Sequence, residues 1–342
     1  MNSPRQGVLL VNLGSPDAPT PRAVRRYLRE FLGDPRVLDI AAPLRWLLLE
    51  GVILPTRPRR SAAQYQSIWT ETGSPLVVHG IALRDGLRKE LGDDWVVELG
   101  MRYGVPSIDG AMERLVAADV ERVHVVPLFP QYASASTGSA LDAVYSAAAE
   151  RTNVPPLVVL PPFYAEPGFV RCLAALARTL PEEQLPDHLL ISFHGLPERQ
   201  VRKSDATGTH CFASEACCDA IGPANRHCYR AQCAATARGL AHALRLRSED
   251  WTLAFQSRLG RTPWLRPYTD EMLPKLHERG VRKLAVACPS FVADCLETLE
   301  EIGIRAREQW LALGGEDLVL IPSLNAHPLW VTTLAGWIRA RA

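Results

Sequence analysis

The run LLISFHG, Leu189–Gly195, decides how the chain folds. Its apolar residues are consecutive rather than alternating, as expected of a strand covered on both faces. Seven other runs share this form: GVLLVNL (Gly7–Leu13), WVVELGM (Trp95–Met101), VHVVPLF (Val123–Phe129), LVVLPPF (Leu157–Phe163), TLAFQSR (Thr252–Arg258), KLAVACP (Lys283–Pro289) and LVLIPSL (Leu318–Leu324). Amphipathic stretches such as PRAVRRYLREFL and TDEMLPKLHERG lie between them. Strand–helix alternation throughout predicts an α/β protein with parallel sheets flanked by helices. Eight strands divide into four and four, with the proline-rich stretch Pro155–Pro167 as the boundary. The expected domains are 1–163 and 164–324, with 325–342 a final helix that could return onto either half.

The 342 residues are comfortable for two such domains. With 47% hydrophobic and 22% charged residues and a net charge of +1, nothing argues for nucleic-acid binding. MNSPRQGVLLVNLG passes from a polar start straight into a strand, without the pattern of a secretion signal, so a reducing cytoplasm is expected. The longest apolar stretch, Ile40–Leu54, contains Arg45 and Glu50 and is too short to span a bilayer. It reads either as a buried or lip-forming helix or as a surface for a membrane or greasy ligand, with Arg57, Arg59 and Arg60 behind it. Neither GxGxxG nor GxxxxGK[ST] occurs, which weighs against a dinucleotide or nucleotide-triphosphate enzyme.

Ligands of open α/β sheets bind at the carboxyl ends of strands. His194 stands at such an end, on a turn with Gly195 and Pro197, and suits a general base or metal ligand. CPSFVADCLETLEEIG follows another strand. On a helix, Asp294, Glu297 and Glu301 would share one face, either solvated or serving a hard cation and its protons. Arg57, Tyr65 and Ser74, with Arg102 and Tyr103 after the second strand, could grip carboxylates of an anionic ligand. The stretch HCFASEACCDAIGPANRHCYRAQC, His210–Cys233, holds five of eight cysteines: Cys211, Cys217, Cys218, Cys228 and Cys233. A disulfide knot is disfavoured by compartment and a zinc ribbon by the lack of CxxC, while iron–sulfur ligation fits four thiolates.

Stretches along nearly the whole chain resemble the ferrochelatase family, whose members insert ferrous iron into porphyrin in haem synthesis. They are LLVNLGSPD, RRYLREFLGD, GSPL, PLFPQYASASTGS, SFHGLPER, FQSRLGRTPWLRPYTDE and CPSFVADCLETLEEI. The resemblance implies two Rossmann-like halves, each a four-stranded parallel sheet, with a porphyrin cleft between them. It implies that His194 and Glu297 are the central pair, His194 accepting pyrrole protons or contacting Fe²⁺, and Glu297, with Asp294 and Glu301 behind it, carrying protons or supplying Fe²⁺. Tyr132, Trp264 and Phe291 would line the pocket, Arg57, Tyr65 and Ser74 would hold propionates, and Arg102 with Tyr103 would line the same cleft. Protoporphyrin IX and Fe²⁺ are the implied substrates, with coproporphyrin III, or a non-catalytic iron–sulfur or haem sensor, as alternatives. Residues 40–54 would form an apolar lip, giving a cytoplasmic protein with peripheral contact at the inner face of the membrane.

Relatives with a cluster in a C-terminal tail also use a cysteine in the PQY…TGS loop. Here that place holds Ser134, and no cysteine follows Cys295. The chain instead resembles bacterial members with an internal cysteine-rich [2Fe–2S] insertion, here 205–233. The implied ligands are Cys211, Cys218, Cys228 and Cys233. Cys217 is the alternative to Cys218, because neighbouring side chains point apart in most backbones.

Overall fold

The structure is a computed structural model that describes residues 5–181, 186–260 and 262–342. It has two four-stranded sheets, both wholly parallel. The first contains β1 (Gln6–Gly14), β2 (Trp95–Tyr103), β3 (Arg122–Pro127) and β4 (Leu157–Val159), in the order β2-β1-β3-β4. The second contains β5 (His188–His194), β6 (Trp251–Gln256), β7 (Lys283–Ala287) and β8 (Asp317–Leu320), in the order β6-β5-β7-β8. The strand–helix alternation therefore predicted the architecture correctly. Several strands end earlier than their apolar runs suggest. β4 stops at Val159, before Leu160, Pro161 and Pro162, where proline has no N–H to donate to a ladder.

By packing, the chain divides into two compact units. One comprises Met1–Phe129, Ala133–Pro162 and Asn325–Ala342; the other comprises Pro130–Tyr132 and Phe163–Leu324. In the first, β1 is central, and Val8, Leu9, Leu10 and Val11 are completely buried. Each such side chain contributes about 1.5–3 kcal/mol when removed from water. Leu9 and Val11 pack with Val123 and Val125 of β3 against the helices Ile108–Ala117 and Ser139–Ala149. Ser107 caps the first of these by accepting from the Gly110 N–H at 3.1 Å. At the end of β1, Gly14 has φ +119°, and a Cβ there would lie 1.8 Å from the Tyr103 carbonyl oxygen. Only glycine lets β1 and β2 run side by side to this point. The final helix, Pro328–Arg339, belongs to this unit and buries Trp330, Val331, Leu334, Ala335 and Ile338, with Val331 packed against Gly86.

The segment 40–54 forms a helix, Ala42–Leu48, followed by a π-helical turn, Leu49–Ile53. Leu49 and Leu54 face inward onto Leu32. Leu44, Trp46, Leu47 and Val52 are 55–66% exposed. Among the described residues, no helix is long and apolar enough to cross a membrane.

Candidate functional site

In the second unit, β5 pairs with β6 on one side and β7 on the other. Their carboxyl ends therefore deliver His194, Gln256 and the turn after Ala287 to one edge. His194 Nδ1 lies 2.6 Å from the carbonyl oxygen of Gly195. That oxygen only accepts, so Nδ1 carries the proton and Nε2 of the neutral ring is left as the basic nitrogen. The turn is held close: a Cβ on Gly195 would meet the Gln256 carbonyl oxygen at 2.8 Å and the Trp264 ring at 3.3 Å. Trp264 is buried, donates from Nε1 to the Leu259 carbonyl at 2.8 Å, and forms a β-bridge with Pro197. The Phe291 ring stands edge-on to His194, with centroids 6.2 Å apart. The His194 N–H donates to Ser290 Oγ at 3.2 Å.

The acidic segment departs from the expected regular α-helix. Asp294 precedes the helix, Cys295 caps it, Leu296–Thr298 forms one α-turn, and Leu299–Ala306 is π-helical. Asp294, Glu297 and Glu301 therefore do not form one α-helical row. Asp294 is buried, and its Oδ1 accepts from Thr298 Oγ1 and the Ser323 N–H, each at 3.1 Å. Glu297 and Glu301 are four apart at the entry to the π-segment, and π-helical turns are frequent at functional sites. Gln256 Nε2 donates to the Glu297 carbonyl at 2.7 Å and approaches Glu301 Oε2 at 3.4 Å, while its Oε1 accepts from Ser192 Oγ at 2.7 Å. Glu301 also accepts from Ser257 N at 2.9 Å and from Ser257 Oγ at 2.5 Å. Burial, then the neighbouring Glu297 carboxylate, push the Cys295 thiol up, so it remains a neutral thiol beside Glu297. A cavity of about 350 Å³ opens beside Glu301, with Ser257, Thr269, Asp270, Arg305 and Gln309 on its walls. Arg305 pairs with the buried Glu300 at 3.0 Å.

In the first unit, Arg102 and Tyr103 converge on a carboxylate that the sequence reading overlooked. Asp34 Oδ2 accepts from Arg102 Nη2 at 2.8 Å, Tyr103 Oη at 2.9 Å and Ser139 Oγ at 2.5 Å. Burial opposes charge on Asp34, but hydrogen bonds from Ser139, the Arg36 N–H and Tyr103, with the Arg102 charge, hold its carboxyl below the ordinary range. Burial pushes the Tyr103 hydroxyl up. Arg57 is exposed on the helix Leu54–Gln66, whereas Tyr65 of that helix is buried with its ring 6.1 Å from that of Trp69. Ser74 is buried at the start of the helix Pro75–Leu91. Tyr132, in the second unit, donates its N–H to Gln232 Oε1 at 2.6 Å.

The cysteine-rich loop leads into the helix Tyr229–Leu244. Cys217 and Cys218 lie in a tight 3₁₀ turn, Glu215–Cys218, which brings their sulfurs to 3.7 Å; the expected divergence of these neighbours does not occur. Cys228 interacts electrostatically with Cys218 and Cys211, and Cys217 with Cys211. Contact with Cys218, then the N–H groups of Ala231 and Arg230, lower Cys228 to about 6. Burial, then crowding by Cys228 and Cys217, raise Cys211 to about 12. Asp205 fixes the loop's entry, accepting from the His210 and Cys211 N–H groups at 2.9 and 2.8 Å. Cys233 is completely buried one turn into the helix, in hydrogen-bond contact with Tyr229. Among the described residues, no three His, Cys, Asp or Glu side chains form a ready site for a single metal ion.

The sequence reading passed over Asp34, Ser257, Tyr229 and Ser290. Ser257 and Ser290 were within reach of the strand-end rule, since they follow β6 and β7 closely. Asp34 and Tyr229 carried no local signal, because their partners are remote in sequence.

A family model described as ferrochelatase matches residues 5–342. A ferrochelatase of Coxiella burnetii (strain Dugway 5J108-111) is 48% identical over 334 residues, 98% of this chain and 93% of the relative. A ferrochelatase of Legionella pneumophila (strain Paris) is 47% identical over 330 residues, 96% of this chain and 97% of the relative. Among solved structures, SirB from Bacillus subtilis with Fe³⁺ aligns with a TM-score of 0.53 at 13% identity, covering 99% of this chain and 96% of that one. The sirohydrochlorin chelatase SirB from Bacillus subtilis subspecies spizizenii, in complex with cobalt, aligns with a TM-score of 0.54 at 10% identity, covering 99% and 95%. At these identities the structural likeness concerns the fold.

Proposed function

Because the chain belongs to the ferrochelatase family and is thus a metal-inserting enzyme, we propose that it places Fe²⁺ into protoporphyrin, with His194 as proton acceptor and Glu297 as the carboxylate that hands on the metal. The observation that carries this reading is the His194 ring, fixed through Nδ1 on Gly195 with its basic nitrogen at the sheet edge. A free porphyrin holds two N–H protons at its centre, and both must leave as the metal enters. Nε2 can take one pyrrole proton without a change of tautomer beforehand, and the Glu297 carboxylate can take the other once it has given up the metal. Carboxylate oxygens suit Fe²⁺ as it loses water, and Glu297 followed by Glu301 gives it successive ligands. Gln256 and Ser257 aim Glu301. Phe291 and Trp264 keep the His194 turn apolar and narrow, which favours a flat ring. Arg57, exposed on its helix, is assigned to a propionate; Arg102 and Tyr103, which hold Asp34 within the first unit, are assigned to the same ligand.

The test is an anaerobic assay with Fe²⁺ and protoporphyrin. Glu297→Gln is expected to lower kcat by at least about 100-fold while porphyrin binding, followed by fluorescence quenching, is retained. A Glu297→Gln protein that keeps most of its turnover would falsify the assignment. The same loss is expected for His194→Ala. The sensor alternative gains no support, since relatives over nearly the full length carry the enzyme's name.

The loop is assigned a [2Fe–2S] cluster. Cys217 and Cys218 present their sulfurs 3.7 Å apart, and these two thiolates would help to hold the group. Cys211 and Cys228 supply the second pair. The quartet Cys211, Cys217, Cys218 and Cys228 is preferred to one that includes Cys233, which is completely buried within the helix Tyr229–Leu244. Such a cluster would supply an electron-accepting or purely structural centre, and no step of metal insertion runs through it. The exposed apolar side chains of 42–52 are assigned to peripheral contact with a membrane surface.

A further inference from the structure

Tyr229 is the first residue of the helix that leaves the cysteine-rich loop, one peptide bond beyond Cys228. Its side chain is buried, and its hydroxyl donates to the His194 carbonyl at 2.8 Å. The same hydroxyl is 3.1 Å from Ser290 Oγ, which in turn accepts the His194 N–H at 3.2 Å. Both main-chain polar groups of His194 thus end on the Tyr229–Ser290 pair. The ring cannot compensate for a shift of this backbone, because Nδ1 is tied to the adjacent Gly195 carbonyl at 2.6 Å. On the other side, Cys228 lies close enough to Cys211 and Cys218 to interact electrostatically, and its N–H donates to the Asn225 carbonyl at 2.8 Å. A contiguous path of packed and hydrogen-bonded groups therefore joins the thiols to the backbone of His194.

We propose that Tyr229 is a positioning residue that couples the cysteine-rich loop to His194, so that the arrangement of the thiols sets where the basic nitrogen points. This rests on the reading of His194 as the proton acceptor, and it does not depend on which metal the loop holds. A loop that is disordered or stripped would let the start of the helix drift, and the hydroxyl would release the His194 carbonyl.

Contact alone does not establish coupling; a double-mutant cycle does. Full-length wild type, Tyr229→Phe, Cys228→Ser and the double variant would be compared by two readouts. The first is kcat against porphyrin KM. Tyr229→Phe keeps the ring and is expected to lower kcat about tenfold with KM unchanged, as a misplaced base should. Cys228→Ser is expected to lower kcat in the wild-type background and to add little once the hydroxyl is gone. The second readout is hydrogen–deuterium exchange in the segment 189–196, which needs no turnover. Cys228→Ser is expected to speed exchange there only while the Tyr229 hydroxyl is present. Should Cys228→Ser fail to fold, Asp205→Asn loosens the loop's entry without touching a thiol and serves in the same cycle. Effects that simply add in both readouts, or a Tyr229→Phe protein with wild-type kcat, would overturn the coupling. Wild type that inserts no iron would instead overturn the assigned reaction, and the exchange cycle would still decide the coupling.

Discussion

His188 opens β5 with its ring buried and Nε2 2.9 Å from Thr252 Oγ1. Burial, then the Arg279 charge, lower its pKa from 6.5 to about 4. Between those values the unfolded chain binds a proton that the folded chain refuses. Stability is therefore fully present above pH ~6.5 and is lost as pH falls towards ~4, by at most about 3 kcal/mol. Thermal midpoints measured from pH 7 to 4.5 should fall, and His188→Asn should flatten that slope; parallel slopes would refute the role. The placement of His194 and Glu297 after strands was legible in the sequence, because the strand-end rule needs only the strand. The duties of Asp34 and Asp294 were not, since each is defined by donors far away in the chain, Tyr103 and Ser139 for one and Ser323 for the other.

At the scale of elements, the eight strands could be read because parallel strands buried on both faces are written as continuous apolar runs. The π-segment 299–306 could not. Nothing in LEEIGIRA distinguishes it from an α-helix, and the Glu297 carbonyl just before it is held by Gln256 from another strand. The cysteine-rich loop shows the same limit. Spacing named the cysteines, but the 3₁₀ turn decided that Cys217 and Cys218 face together. For this element we expect anaerobically purified wild type to show the visible absorption of an iron–sulfur centre. Cys211→Ser should lose most of that absorption and lower the soluble yield. Retention of the full chromophore would remove Cys211 from the ligand set.

For the whole molecule, Leu44, Trp46, Leu47 and Val52 are apolar side chains left 55–66% exposed on one segment. Partition to vesicles containing anionic lipid should drop about tenfold or more when Trp46 and Leu47 are both replaced by serine, given about 1.5–3 kcal/mol per inserted apolar side chain. Flotation of wild type and variant checks this, and equal partition would argue against a lip. The sequence by itself determined the class of fold, the number of strands and the strand ends from which His194 and the Glu297 segment project. These follow from local composition and periodicity. Only the tertiary structure decided the tautomer of His194, the Asp34 network, the π-helical setting of Glu297 and Glu301, and the path from Cys228 through Tyr229 to His194. The Asp34 network and the Tyr229 path depend on hydrogen bonds between residues distant in sequence, and the His194 tautomer depends on a Gly195 turn that Gln256 of the neighbouring strand holds; no local pattern encodes that geometry.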